Sequence, residues 1–236
     1  MQAGNTIYSE ASDFPETVPL FPLSGALLLP GGQMPLNIFE PRYMAMFDAA
    51  IASDRLIGMV QLLAQTTPQP AKKSSIKIKL NPAFDHEPAL ASVGGLGRIV
   101  SFNESGDGRY VITLAGICRF RLLDEVHGLV PFRQGNIAPF IADLNEADEG
   151  DNVNRDDLLR TFRNYLTANQ MDADWESIKR ASNHTLVNAL SMMSPFGPIE
   201  KQALLEAEDL KTRAETLVAM TELMLTRDEA GSSKLQ

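Results

Sequence analysis

The residues of this chain that could take part in catalysis are few and scattered. Cys118 is the only cysteine, and the three histidines are His86, His127 and His184. A cysteine nucleophile needs a neighbouring histidine, but Cys118 falls on the apolar side of an alternating segment, which predicts a small core residue. The histidines lack the His-x-x-x-His spacing of a helical zinc site, so no metal is expected.

No phosphate-binding or serine-nucleophile motif is present. Residues 94–97, Gly-Gly-Leu-Gly, lack the Lys-Ser/Thr that completes a P-loop and lead into a predicted strand, so they indicate a tight turn or a bulge. No Gly-x-Ser-x-Gly occurs. We therefore expect no catalytic residue, no cofactor and no ATP hydrolysis.

Four basic residues are candidates for contacting a ligand. Lys77 and Lys79 alternate with apolar residues. This pattern indicates either a charged edge strand that discourages aggregation or a surface for acidic peptides. Arg119 and Arg121 share one face of another predicted strand, where they could contact a ligand or pair with carboxylates across the sheet.

A methionine-rich segment is the apolar candidate. Met192, Met193 and Phe196 could form an adaptable binding surface, because flexible methionine side chains repack around varied partners. The alternative is that the methionine pair belongs to a helix core. Glu40 and Arg42 are interpreted as a surface ion pair at a helix start.

The first part of the chain, up to about residue 140, has the pattern of short strands. Alternating apolar residues and turn signals predict strands near residues 34–38, 56–63, 98–103, 109–114, 117–123 and 132–140. A tight turn is predicted at residues 115–116, and one helix at residues 41–52. This arrangement favours an antiparallel barrel or sandwich.

Beyond an acidic linker at residues 145–154 the apolar period changes to that of helices. Helices are predicted around residues 158–166, 175–178, 185–193 and 198–206, with a last one capped by Asp209 and ending near Arg227. The second part therefore reads as a helical bundle.

Composition and charge restrict the partners. The chain has 236 residues, 44% of them hydrophobic, and a net charge of −9. Nucleic acid is not an expected partner, because phosphate contacts need clustered Lys and Arg. No apolar run has the roughly 18 residues of a membrane helix, and no membrane partner is expected. The polar N-terminus and single cysteine favour a cytoplasmic location.

Five segments carry a resemblance to a known family. Residues 19–43 read PLFPLSGALLLPGGQMPLNIFEPRY and resemble the opening of the Lon protease substrate-binding domain. Further similar segments follow in the same order, at residues 93–102, 114–122, 186–190 and 195–206. The pattern departs from the family at residues 66–91. The chain is identified as a member of this family, and we expect it to be of the stand-alone bacterial kind, without the ATPase and peptidase domains.

The resemblance implies an α+β fold. We expect a PUA-like antiparallel β-barrel with one helix at residues 14–144, followed by an α-helical bundle at residues 152–228. It also implies a non-catalytic role in recognising unfolded or extended polypeptides during protein quality control. The candidate contact residues are Lys77, Lys79, Arg119, Arg121, Met192, Met193 and Phe196.

Three alternative functions are open at this point. PUA-like barrels also bind RNA, so the chain could be an RNA-binding module, although its charge argues against this. It could be a docking subunit of an ATP-dependent protease. It could also be an enzyme whose site has no familiar motif.

Overall fold

The computed structural model describes residues 1–63, 88–145 and 152–232. Lys77 and Lys79, with the predicted strand that carries them, lie outside the described residues. The chain divides into two compact units, Met1–Leu144 and Asn145–Gln236. The fold is mixed α+β, with the sheet in the first unit and five of the six described helices in the second.

The first unit is built from strands and one α-helix. The helix α1 spans Pro41–Ile51, as predicted, and begins with a proline whose missing N–H costs nothing there. The strands are β1 (Gln2–Ala3), β2 (Thr6–Ile7), β3 (Thr17–Pro22), β4 (Gln33–Ile38), β5 (Leu56–Val60), β6 (Val93–Glu104), β7 (Tyr110–Val126) and β8 (Arg133–Pro139).

The large sheet has the strand order β4-β7-β6-β5-β3-β8, and β8 also pairs with β7. Hydrogen bonding therefore runs from β7 through β6, β5, β3 and β8 and returns to β7. The enclosed core includes fully buried side chains from several of these strands, among them Val18, Leu20, Leu96, Ile117 and Phe120.

The expectation of a purely antiparallel sheet is wrong at one pair. Strands β3 and β5 run parallel, with Leu20 opposite Gly58 and Pro22 opposite Val60. Parallel neighbours need a long crossover connection. The chain supplies one here, since β4 and α1 lie between the two strands.

The prediction of a turn at residues 115–116 is also wrong, because both residues lie within β7, which is 17 residues long. Gly116 instead allows another segment to approach. Its N–H donates to the carbonyl of Gly32 at 2.8 Å, and its own carbonyl accepts from Gly31 at 3.0 Å. A Cβ at Gly116 would lie 2.1 Å from the carbonyl oxygen of Leu29.

Two other predictions for this unit are confirmed. The hairpin between β6 and β7 forms, with Glu104 opposite Tyr110. Residues 94–97 contain the expected irregularity, a register shift between Leu96 and Gly97.

The second unit consists of five helices among the described residues, and polar side chains cap the starts of four of them. They are α2 (Arg155–Ala168), α3 (Trp175–Arg180), α4 (Asn183–Met193), α5 (Pro198–Glu206) and α6 (Leu210–Ser232). The predicted cap of α6 is confirmed, since the carboxylate of Asp209 accepts from the N–H of Thr212 at 2.7 Å. None of the helices among the described residues combines the length and the apolar composition that crossing a membrane requires.

Candidate functional site

An open cleft in the helical unit is the candidate binding site among the described residues. Its volume is about 460 Å³. Helices α2, α3 and α4 and the connection from α2 to α3 form its walls. The lining side chains are mostly apolar, and include Phe162, Tyr165, Leu166, Met171, Ile178, Leu186, Ala189, Leu190 and Met193.

Local backbone features set the positions of these walls. Two residues beyond the end of α2, Gln170 has a φ of 54°, in the left-handed region, and this turns the chain toward Met171. The N–H of Met171 then donates to the carbonyl of Leu166 at 2.9 Å. The side chain of Ser182 accepts from the N–H of Thr185 and begins α4.

Asp174 fixes the start of α3 and remains ionised. Its carboxylate accepts hydrogen bonds from the hydroxyl of Ser177 and from the N–H groups of Ser177 and Glu176. The side-chain bond from Ser177 and these backbone bonds lower the pKa of Asp174 below its usual value. One wall of the cleft therefore carries a permanent negative charge at neutral pH.

Two methionines extend from the cleft into solvent. The exposed fraction is 78% for Met193 and 53% for Met171. Both line the cleft. A long, unbranched side chain at such a position can adjust to ligands of different shape.

The methionine-rich candidates are placed as follows. Met193 lines the cleft, and Phe196 lines a smaller adjoining depression of about 10 Å³ that shares Phe162 and Tyr165 with it. Met192 lines neither one. It is half-buried, and its carbonyl accepts from the ammonium group of Lys201 at 3.4 Å.

Phe162, Tyr165 and Met171 were not among the sequence-based candidates. The first two occupy the apolar stripe of an amphipathic helix, which predicts burial. Periodicity does not distinguish a stripe that meets another helix from one that lines an open cleft. Met171 stands outside any periodic segment, so the sequence carries no signal for it.

The interpretation of Arg119 as a residue that contacts a ligand requires correction. Only 3% of its surface is exposed. Its guanidinium donates to both carboxylate oxygens of Asp143, at 2.9 and 2.8 Å, and its N–H donates to the same carboxylate at 2.8 Å. A short helical turn, Ile141–Leu144, brings this carboxylate over the arginine. Arg119 is thus held inside the first unit and is not available to a ligand.

Arg121 has the opposite environment. It is exposed, and its guanidinium carbon lies 5.7 Å from the centroid of the Phe140 ring, a distance at which a cation and an aromatic face attract. It therefore remains accessible. Lys77 and Lys79 lie outside the described residues.

A second apolar surface lies on the first unit. Phe39 and Phe102 are both exposed. The Phe102 ring contacts that of Phe47 on α1, with 5.4 Å between their centroids. Among the described strands, β4 pairs only with β7, so none of them occupies its other edge.

The remaining chemical candidates have structural roles. Cys118 is buried, as predicted, and burial together with the charge of Asp143 raises the pKa of its thiol to about 12. Glu40 and Arg42 form the predicted surface ion pair, 3.0 Å apart. No group of three or more His, Cys, Asp or Glu side chains in the described ranges could hold a metal ion.

Comparison with known proteins identifies the family of this chain. Residues 17–222 match the ATP-dependent protease La (LON) substrate-binding domain. The chain is 29% identical over 213 residues to the Lon protease of Parabacteroides distasonis, covering 86% of this chain and 23% of that protein. It is 25% identical over 214 residues to Lon protease 2 of Myxococcus xanthus, covering 88% and 24%. The chain thus spans about a quarter of the length of these relatives.

Solved structures show the same fold. A Lon N-terminal domain protein from Xanthomonas campestris aligns with a TM-score of 0.57 at 22% identity, covering 86% of this chain and 97% of that one. The N-terminal domain of Lon protease from the Mycobacterium avium complex aligns with a TM-score of 0.62 at 17% identity, covering 87% and 98%. The family match extends over most of this chain, which belongs to the Lon substrate-binding domain family.

Proposed function

We propose that this protein binds segments of other polypeptides, without cutting them, through the apolar cleft of its helical unit. The observation that carries the proposal is the open cleft of about 460 Å³ with Met171 and Met193 extending from it. The family supports the class of ligand, since its name describes a domain that binds the substrates of a protease.

The size and composition of the cleft suit a few apolar side chains of an extended or unfolded segment. Ligand pockets typically have volumes of about 300–1,000 Å³ and mostly apolar walls. Burying one Leu, Phe or Met side chain contributes about 1.5–3 kcal/mol. Two or three such side chains contribute about 3–9 kcal/mol before the cost of ordering the segment is subtracted, which corresponds to weak binding, at best in the high micromolar range.

The proposal includes three finer points. In this proposal residues 14–144 fold as a PUA-like barrel, and residues 152–228 form the helical bundle that binds the polypeptide. An ATP-dependent protease is a candidate partner, because the similar chains from Parabacteroides distasonis and Myxococcus xanthus are Lon proteases. A cytoplasmic location accords with a single cysteine.

The test is a binding titration with a matched control. The probe is a fluorescently labelled protein that has been reduced and carboxymethylated so that it stays unfolded, and anisotropy reports binding. Met193→Ser removes apolar surface inside the cleft and should weaken binding about fivefold. Leu223→Ser is the control, because Leu223 is an exposed apolar residue of α6 outside the cleft.

The proposal is contradicted if the wild-type protein does not bind the unfolded probe at high micromolar concentration. It is also contradicted if both substitutions weaken binding equally. A thermal melt of each variant establishes that neither has unfolded the helical unit.

A further inference from the structure

We infer that the cleft selects apolar segments that are flanked by Lys or Arg. The inference rests on the proposed function and specifies the chemistry of the segment that is bound. It is drawn from the charges at the rim, which are independent of the family match.

The charged residues that line the cleft are both acidic. They are Asp172 and Asp174, and no Lys or Arg of the described residues lines it. Both carboxylates are exposed to solvent. Any segment whose apolar side chains enter the cleft therefore has its flanking residues close to two negative charges.

The nearby cations of α3 are engaged with that helix itself. The ammonium group of Lys179 lies 3.4 Å from the carboxylate of Glu176, and the guanidinium of Arg180 donates to the carbonyl of Glu176 at 3.2 Å. Neither residue lines the cleft. Lys179 and Arg180 therefore do not neutralise the charges of the two aspartates from within the cleft.

Asp172 is the carboxylate available to an incoming cation. Among the described residues it makes no hydrogen bond and no ion pair, whereas Asp174 is committed to capping α3. An exposed carboxylate of this kind attracts Lys and Arg and repels Asp and Glu. The effect of one exposed pair is small, about a 1.5- to 5-fold change in affinity, so charge discriminates among segments that already fill the cleft.

The experiment uses three peptides with the same core of Leu, Phe and Met residues, flanked by Lys, by Gln or by Glu. Affinities for the full chain are measured by anisotropy at 0.1 M salt. The Lys-flanked peptide should bind about threefold more tightly than the Gln-flanked one, and the Glu-flanked peptide about threefold more weakly. At about 0.5 M salt the differences should shrink, because exposed charges are screened.

Two variants locate the source of the preference. Asp172→Asn should reduce the ratio between the affinities for the Lys- and Gln-flanked peptides. Glu208→Gln removes one exposed carboxylate from the connection between α5 and α6, outside the cleft, and should preserve the ratio.

The outcomes separate the inference from the proposed function. Equal binding of the three peptides, or an unchanged ratio in Asp172→Asn, overturns the charge preference and leaves polypeptide binding intact. If none of the three peptides binds, the proposed function itself fails.

Discussion

Two arginines of β7 show how much the environment of a residue decides its role. Arg119 and Arg121 both lie close to the ring of Phe140, at 5.2 and 5.7 Å. Arg119 is covered by the turn that carries Asp143, and Arg121 is open to solvent. Strand alternation predicted the shared face. It could not predict that Asp143 buries Arg119, because residues 141–144 show no pattern that indicates where they fold back.

The buried pair leads to a stability prediction. Both side chains of the Arg119–Asp143 pair are almost fully buried. Asp143→Asn removes a buried counter-charge of the guanidinium, and breaking a buried pair in this way costs about 3–5 kcal/mol. Urea unfolding followed by pulsed thiol labelling of Cys118, which is buried in the same unit, measures the loss.

Glu40→Gln is the control for this prediction. It breaks an ion pair of similar length on the surface of the same unit, between Glu40 and Arg42. The expected loss is below about 1 kcal/mol, since exposed pairs contribute little. Equal losses in the two variants would show that the buried pair does not stabilise the first unit.

Among the elements, helices were predicted more accurately than strands. Helix starts carry local signals, such as Pro41 for α1 and Asp209 for α6, and both begin where these residues indicate. The strands depend on distant partners. Glycine is typical of turns, but a glycine is needed at position 116 because Leu29, far away in sequence, lies against it.

Substitution of glycines tests this explanation. A Cβ at position 116 would lie 2.1 Å from a backbone oxygen, which no side-chain rotation relieves. Gly116→Ala should therefore destabilise the first unit by about 2–3 kcal/mol. Gly106→Ala should change stability by less than about 0.5 kcal/mol, because nothing lies within 4 Å of its Cβ position.

The same urea titration with Cys118 labelling measures both variants. A Gly116→Ala protein as stable as Gly106→Ala would mean that the segment containing Leu29 moves aside without cost. The glycine at position 116 would then permit the close approach of Leu29, but the approach would not require a glycine there.

For the whole molecule, the sequence indicated the α+β class and the family but not the position of the cleft. The family segments are recognisable because they combine strands, turns and a proline-initiated helix in a fixed order. The cleft depends on the space left between three helices. Its residues, such as Phe162 and Leu186, have the same periodicity whether they meet another helix or line a cleft.

The central claim is that this cleft is where polypeptides bind, and methionine methyl NMR tests it most directly. The protein is labelled with ¹³C at the methionine methyl groups and titrated with the carboxymethylated, unfolded protein. Met171 and Met193 are in the cleft, whereas Met46 and Met59 are buried in the first unit and serve as internal controls. We predict that the methyl signals of Met171 and Met193 shift or broaden with a saturable dependence while those of Met46 and Met59 do not. Saturable binding with the signals of Met171 and Met193 unchanged would contradict the account.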